Sequence, residues 1–399
     1  MIYLDNAATT PVSDEVLASM MPYFSEKFGN PSSIYALGRE AKEAVSESRE
    51  TVANLLGANP AEIIFTSGAT ESNNLALKGV CQSAANILMA TPHVIVSSVE
   101  HHCVLDSAKY LHNSYGVDVT YLPVNKEGLV DPEDVRAAIR DNTAIISVMF
   151  GNNETGSIEP IAEIGKVVAS AREERKKSGN ALPIVFHTDA VQAFQYIDFD
   201  VDSLGVDMLS LTAHKFYGPK GVGLLYVRKG TKFSPQQQGG AQERGLRAGT
   251  ENVPYIVGMA EAMTVAKREM TKHKAQITEL RDYLTERIAK EIPEAETIGP
   301  KDPSKRLPHI ASFLFKRIEG ESILINLDLL GIAASSGSAC TSGSLEPSHV
   351  TKAMGYADMD AHGAVRFSFG KMNSKADIDE MMKHLPGIVE KLRAMSPIK

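Results

Sequence analysis

Ile184-Val185-Phe186-His187-Thr188-Asp189-Ala190-Val191-Gln192 and Met208-Leu209-Ser210-Leu211-Thr212-Ala213-His214-Lys215 are two short apolar runs, each passing into polar residues. Runs that are mostly apolar, without strict alternation, suit parallel strands, because helices cover both faces of such a sheet. Ligands in α/β sheets gather just past the carboxyl ends of the strands. Asp189 and Lys215 stand at two such ends. A lysine can hold an aldehyde as a Schiff base, and an acid can keep a pyridine nitrogen protonated so that the ring accepts electrons. The pair points to pyridoxal phosphate.

The pattern continues on both sides. Strands are expected at 62–65, 93–97, 117–122, 144–149, 184–186, 208–211 and 223–227, with helices between them such as 132–140 and 161–176. This alternation predicts an α/β fold with a doubly wound, mostly parallel sheet. A long helix is expected over 255–292, between Pro254 and Pro293, then a helix at 319–330 and further α/β material beyond 377. The reading is a large cofactor-binding domain, 13–258, and a smaller α/β C-terminal domain formed by 1–12 and 259–399. The charged run 171–180 reads as a solvated helix end.

With 399 residues, 43% of them hydrophobic, the chain has the length and composition of an ordinary globular protein of two domains. A net charge of -8 argues against broad binding to nucleic acid, whose phosphates need a basic face. No apolar run approaches the ~20 residues of a membrane span, and the N-terminus lacks a signal-peptide pattern, so a cytoplasmic location is expected. The cysteines, Cys81, Cys103 and Cys340, are too few for a disulfide framework and lack zinc-site spacing. Cys81 and Cys103 read as small packing residues.

Cys340 differs. It lies in Ser335-Ser336-Gly337-Ser338-Ala339-Cys340-Thr341-Ser342-Gly343-Ser344, a stretch with no bulky side chain to anchor it. That composition predicts a mobile loop, 335–345, able to carry a thiolate into a site and out again. Thr66-Ser67-Gly68-Ala69-Thr70-Glu71 follows a strand and opens a helix, whose first N–H groups suit a phosphate, although a simple capped helix would read the same way. His101 ends another strand, where an imidazole can stack on a ring and handle protons, or serve only as a structural histidine. Asn153 lies in a turn that can present an amide to cofactor or substrate, although an ordinary turn would read the same way. Arg366 sits in an alternating strand, where its planar fork suits a carboxylate and a surface role is equally open. Lys220, in a Gly-Pro-Lys-Gly turn, reads as solvent-facing.

The chain as a whole resembles the class I cysteine desulfurases, the NifS/IscS-like group of fold-type I pyridoxal phosphate enzymes. The resemblance is carried by Tyr3-Leu4-Asp5-Asn6-Ala7-Ala8-Thr9-Thr10-Pro11, Gly29-Asn30-Pro31-Ser32-Ser33, Glu100-His101, and segments 66–74, 152–156, 187–192, 213–223, 243–252 and 335–350. The cysteine loop is most similar to the NifS branch. The resemblance implies that Lys215 bonds the cofactor, Asp189 pairs with its ring nitrogen, Gln192 contacts the ring hydroxyl and His101 stacks on the ring. Ala69, Thr70, Thr212 and His214 would hold the phosphate, with Thr250 reaching in from the other subunit of a homodimer. Asn153 and Arg366 would receive the carboxylate of L-cysteine.

Cys340 would take the sulfur as a persulfide for an iron–sulfur scaffold or another acceptor protein, and could serve as a transient iron–sulfur ligand shared with that scaffold. His102, the length of 173–183, and Gln236, Gln237, Gln238 and Ala241 depart from the pattern of these relatives. The rival readings are a selenocysteine lyase or an aminotransferase on the same fold, and a non-catalytic scaffold subunit.

Overall fold

A computed structural model describes residues 1–336 and 347–396; Cys340, and with it most of the loop 335–345, lies outside the described residues. The strands in chain order are β1 (Ile2–Tyr3), β2 (Ile63–Thr66), β3 (His93–Ser97), β4 (Asp118–Leu122), β5 (Thr143–Ser147), β6 (Val185–Asp189), β7 (Met208–Thr212), β8 (Gly223–Val227), β9 (Ala295–Ile298), β10 (Ile310–Phe315), β11 (Ile332–Ala333) and β12 (Ala364–Ser368). Seven of them form one sheet in the order β2-β8-β7-β6-β5-β3-β4. β8 runs antiparallel to both its neighbours, and the remaining pairs are parallel. The α/β, mostly parallel architecture read from the sequence is therefore the one observed.

Strands β3, β5, β6, β7 and β8 are buried along their whole length. Helices Ala69–Leu88 and Ile161–Ser178 supply apolar faces to two separate core clusters, through Leu75, Leu77 and Val80 in one and Ile164, Val167 and Val168 in the other. The polar residues in the middle of the sheet are satisfied internally. His187 bonds Ser147 Oγ (2.8 Å) through Nδ1 and Ser210 Oγ (3.0 Å) through Nε2, and burial pushes its pKa down to about 3. It is a core histidine, hydrogen-bonded as buried polar groups must be.

The helix Val253–Glu291 spans 39 residues and joins two cores. Ile256, Met259 and Met263 pack with the large sheet, whereas Ile277, Leu280, Leu284 and Ile288 pack with Phe313, Phe315 and Phe367 of the antiparallel sheet β12-β10-β9. β1 pairs in parallel with β11, and the chain after it continues along β12 through Asn6 N–Ser368 O (3.2 Å) and Ala7 N–Ser368 Oγ (2.9 Å). Thr10 N then reaches His214 O (2.9 Å), so the N-terminal segment ties the small sheet to the turn that carries Lys215.

The run 171–180 departs from its expected solvated character at Arg175. This side chain is buried and caps Leu182 O (2.9 Å) and Arg140 O (2.5 Å), because its guanidinium fills the carbonyl-lined gap between two loop ends.

Candidate active site

The parallel strands deliver their carboxyl ends to one edge, and there a cavity of about 630 Å³ opens. Lys215 follows β7 in a short turn, Ala213–Lys215. Its Nζ donates to Ala7 O (2.6 Å) and Ala8 O (2.7 Å), so the N-terminal segment aims the amine. Ala7 O also accepts from Gln192 Nε2 (3.0 Å), and Gln192 Oε1 lies 3.0 Å from His309 Nε2. His309 is buried and stacks on Tyr196 with ring centroids 4.2 Å apart, and burial drives its pKa well down.

Asp189 ends β6. Its Oδ1 accepts from Val191 N (3.0 Å) and its Oδ2 from Asn73 Nδ2 (2.7 Å). Asn73 lies one helical turn beyond Ala69, fully buried, and its Nδ2 also lies 3.0 Å from Cys103 Sγ. Cys103 Sγ in turn lies 3.0 Å from His101 Nδ1. His101 is the N-cap of the helix His102–Tyr115, and its Nδ1 accepts from Cys103 N (3.1 Å). Beside it Glu100 is fully buried. Its Oε1 takes Met149 N (2.5 Å), and desolvation, then the nearby Asp189 charge, raises its pKa far above the usual carboxylate range.

At the other end of the cavity the helix Ala69–Leu88 begins. The first N–H groups of a helix lack partners within it. Ser72 N turns back to Gly68 O (3.1 Å), leaving those of Ala69 and Thr70 at the cavity wall. Gly68 has φ +157°, and its backbone lies against Gly223, where a Cβ would sit 2.7 Å from the Gly68 main chain. That close approach sets the turn beside Thr212, the β7 residue paired with Gly223. Glu71 Oε2 accepts from Ser67 N (2.7 Å), and Arg247 Nε donates to Glu71 Oε1 (2.8 Å), so the polar loop near residue 247 buttresses this turn. His214 Nδ1 lies 3.1 Å from Thr9 Oγ1. Burial and then Lys215 push its pKa down to about 4.

Arg366, on β12, is buried at the mouth. Its two terminal nitrogens donate to Asn153 O (2.8 Å) and Asp5 Oδ1 (2.7 Å), while its buried Nε has no partner among the described residues. A guanidinium offers several further N–H groups on the same fork, and an unpaired buried one suits an incoming carboxylate. Next to it Glu154 is buried and accepts from Ser348 Oγ. Burial lifts its pKa to about 7 against that hydrogen bond and the Arg366 charge.

The sequence profile of the aminotransferase class-V family matches residues 2–381. The chain is 50% identical over 398 residues to a cysteine desulfurase IscS of Dictyoglomus turgidum, covering 100% of this chain and 97% of that one. It is 48% identical to the cysteine desulfurase IscS of Methanosarcina thermophila, covering 100% and 94%. The chain belongs to the cysteine desulfurases of the class-V aminotransferase family. Among solved structures, a NifS-like protein superposes with a TM-score of 0.87 at 37% identity, covering 98% of this chain and 100% of that one. SspA in complex with cysteine superposes with a TM-score of 0.76 at 37% identity, covering 92% and 99%.

Pyridoxal phosphate is the cofactor of this desulfurase family, and the residues present fit it. An amine, a carboxylate and a helix N-terminus with open N–H groups line one cavity, as an aldehyde, a pyridine nitrogen and a phosphate require. Of the residues expected from the sequence, Ala69, Thr70, His101, Asn153, Asp189, Gln192, Thr212, His214, Lys215 and Arg366 all line this cavity. Arg366 is no surface arginine, since Asp5 and Asn153 hold it inward. Lys220 is exposed, as expected, at the rim. Thr250 is exposed and lines a neighbouring cleft of about 220 Å³ that shares Ser67 and Gly221 with the cavity.

Several residues in or around the cavity were not singled out in the sequence. Cys103, read as packing, has its sulfur against His101 and faces the cavity, because the N-cap bends the chain back at that point. Asn73, His309, Asp5 and the carbonyls of Ala7 and Ala8 were not assigned roles. Asn73 falls one turn after the phosphate turn, a spacing that puts it on the same helix face. For His309 no local signal exists.

Proposed function

We propose that this chain is a pyridoxal-phosphate-dependent cysteine desulfurase. It converts L-cysteine to L-alanine and passes the sulfur, as a persulfide on Cys340, to acceptors for iron–sulfur cluster assembly. The observation that carries the reading is the convergence of Lys215, Asp189 and Arg366 on one cavity in a chain half identical to a curated cysteine desulfurase.

Bound pyridoxal phosphate supplies an electron sink at the substrate α-carbon. Lys215 would hold the cofactor aldehyde and would move the α-proton. Asp189, oriented by Asn73 and by Val191 N, would keep the pyridine nitrogen protonated. Ala69, Thr70, Thr212 and His214 would hold the phosphate, Gln192 would serve the ring hydroxyl, and His101 would cover the ring and handle the proton at the substrate thiol. Arg366 and Asn153 receive the α-carboxylate. The Cys340 thiolate attacks the substrate sulfur. An S–S bond forms as the carbon–sulfur bond breaks, and its electron pair stays with the carbon skeleton, which takes up a proton to become alanine.

Homodimer, domain division and location draw support from the surface, the cores and the cysteine content. A homodimer is supported by the exposed Thr250 and by apolar residues left exposed nearby. Phe24, 49% exposed, meets Tyr255 edge to face at 6.2 Å between centroids, and Phe28, Ile34 and Tyr35 are also exposed. Division into 13–258 and 1–12 with 259–399 is supported by the two apolar clusters that meet on the helix Val253–Glu291. A cytoplasmic location is supported by the reduced state expected of so few cysteines. Among the described residues no helix is long and apolar enough to cross a membrane.

Purified protein given L-cysteine and a thiol reductant is expected to release alanine and sulfide in equal amounts. A keto acid in place of alanine would make it an aminotransferase, and turnover of selenocysteine with negligible turnover of cysteine would make it a lyase. Arg366→Lys keeps the charge and loses the fork. It is expected to raise KM for L-cysteine by roughly 10- to 100-fold, the worth of a charge-assisted hydrogen bond, with a smaller change in kcat. A KM equal to wild type would remove Arg366 from carboxylate binding.

A further inference from the structure

We infer that Cys103 is a positioning residue that holds His101 as the tautomer protonated on Nε2, so that His101 meets the substrate sulfur as a neutral hydrogen-bond donor. The inference rests on the proposed desulfurase reading and narrows the part His101 plays in it.

Donor direction settles the ring. A backbone N–H can only donate, so His101 Nδ1, 3.1 Å from Cys103 N, is an acceptor and carries no proton. Cys103 Sγ, 3.0 Å from the same Nδ1, must then point its S–H at that nitrogen. The sulfur in turn faces Asn73 Nδ2 at 3.0 Å, and the same Nδ2 donates to Asp189 Oδ2 at 2.7 Å. The amide of Asn73 has one available orientation here, because turning it over would set its oxygen against the Asp189 carboxylate. The Asn73 amide thus donates both to Asp189 and to the Cys103 sulfur, and the thiol donates on to the imidazole. Protonating Nδ1 would break the N-cap of the helix His102–Tyr115 as well as the thiol contact.

The surroundings favour the neutral ring. Burial first of all holds the His101 pKa below its ordinary value. Lys215, from the turn after β7, and His102 push it the same way, whereas Asp189 at the end of β6 and Asp106 oppose. His349, from the helix His349–Ala353, is a further like charge when protonated. A neutral imidazole with Nδ1 committed has Nε2–H as its one donor, and a base role would require the N-cap to open.

Holoenzyme labelled with 15N-histidine tests the tautomer in long-range proton–nitrogen spectra, the His101 signals being assigned by their loss in His101→Gln. Protonated Nε2 and bare Nδ1 are expected from about pH 6 to about pH 8.5, a range that spans the ordinary histidine pKa. A proton on Nδ1 would overturn the inference. Cys103→Ala is expected to lower kcat about five- to tenfold, the worth of one orienting hydrogen bond, with KM and cofactor content unchanged. Cys103→Ser, which keeps a donor, should restore most of it. An alanine variant with wild-type kcat and pH profile, or a serine variant as impaired as alanine, would overturn the assignment. If the wild type formed a keto acid, the desulfurase reading would fail while the histidine spectrum still decided the ring.

Discussion

Cys340→Ala is expected to lower alanine release from L-cysteine by at least about a hundredfold, on the order of what removal of a reacting group costs, while the protein stays yellow with bound cofactor. The physical reason is the separation of two jobs. Lys215, Asp189 and the helix N-terminus at Ala69 build the cavity at one edge of the large sheet, on segments remote in sequence from Cys340. In the proposed reaction Cys340 supplies the thiolate that accepts sulfur, and neither other cysteine is suited to take its place. Cys81 is buried, with its pKa pushed up to about 12 by desolvation. The Cys103 thiol is raised still further by burial and then by Asp189, so little thiolate forms there. Quantifying alanine and protein-bound persulfide in the variant decides the matter. Alanine formed at the wild-type rate would exclude Cys340 as the sulfur acceptor and bring the lyase or aminotransferase forward.

Lys215→Ala is expected to lower turnover by more than about a thousandfold, toward the upper end of the range for a group that transfers a proton at the reacting carbon. Here the anchoring of the cofactor aldehyde is lost as well. Folding is expected to survive, because the N-terminal segment keeps its other ties. Gln192 Nε2 still reaches Ala7 O at 3.0 Å, and Thr10 N still reaches His214 O at 2.9 Å. The visible spectrum of the purified variant should lose the lysine-bound band while phosphate-anchored cofactor remains extractable. A variant with wild-type absorbance and more than a few per cent of wild-type turnover would move the reactive amine to another lysine, and Lys220 at the cavity rim would be the first to test.

The central sheet was legible because the forces that build it are local. A strand covered on both faces must be mostly apolar, and β3, β5 and β7 carry that composition within five residues each. The turn at Gly68 and the acid and lysine at two strand ends were legible for the same reason, since strand ends and helix starts have local signatures. Arg366 was only half legible. Its strand could be read, but whether the side chain faced water or substrate depended on Asp5, which is 361 residues away along the chain.

The sequence by itself determined the fold class, the family, and the amine and acid of the site. Each of these is written in contiguous residues through periodicity, composition or motif. Only the tertiary structure decided how those groups are aimed. Lys215 takes its direction from the carbonyls of Ala7 and Ala8, Gln192 from His309, and His101 from the Cys103 thiol, which read as ordinary packing and is itself held by Asn73. These are hydrogen bonds between segments with few or no local signals of their own. Their partners become known only when hydrophobic burial has brought both sheets together around the helix Val253–Glu291 and left each polar atom to find the neighbour it must have.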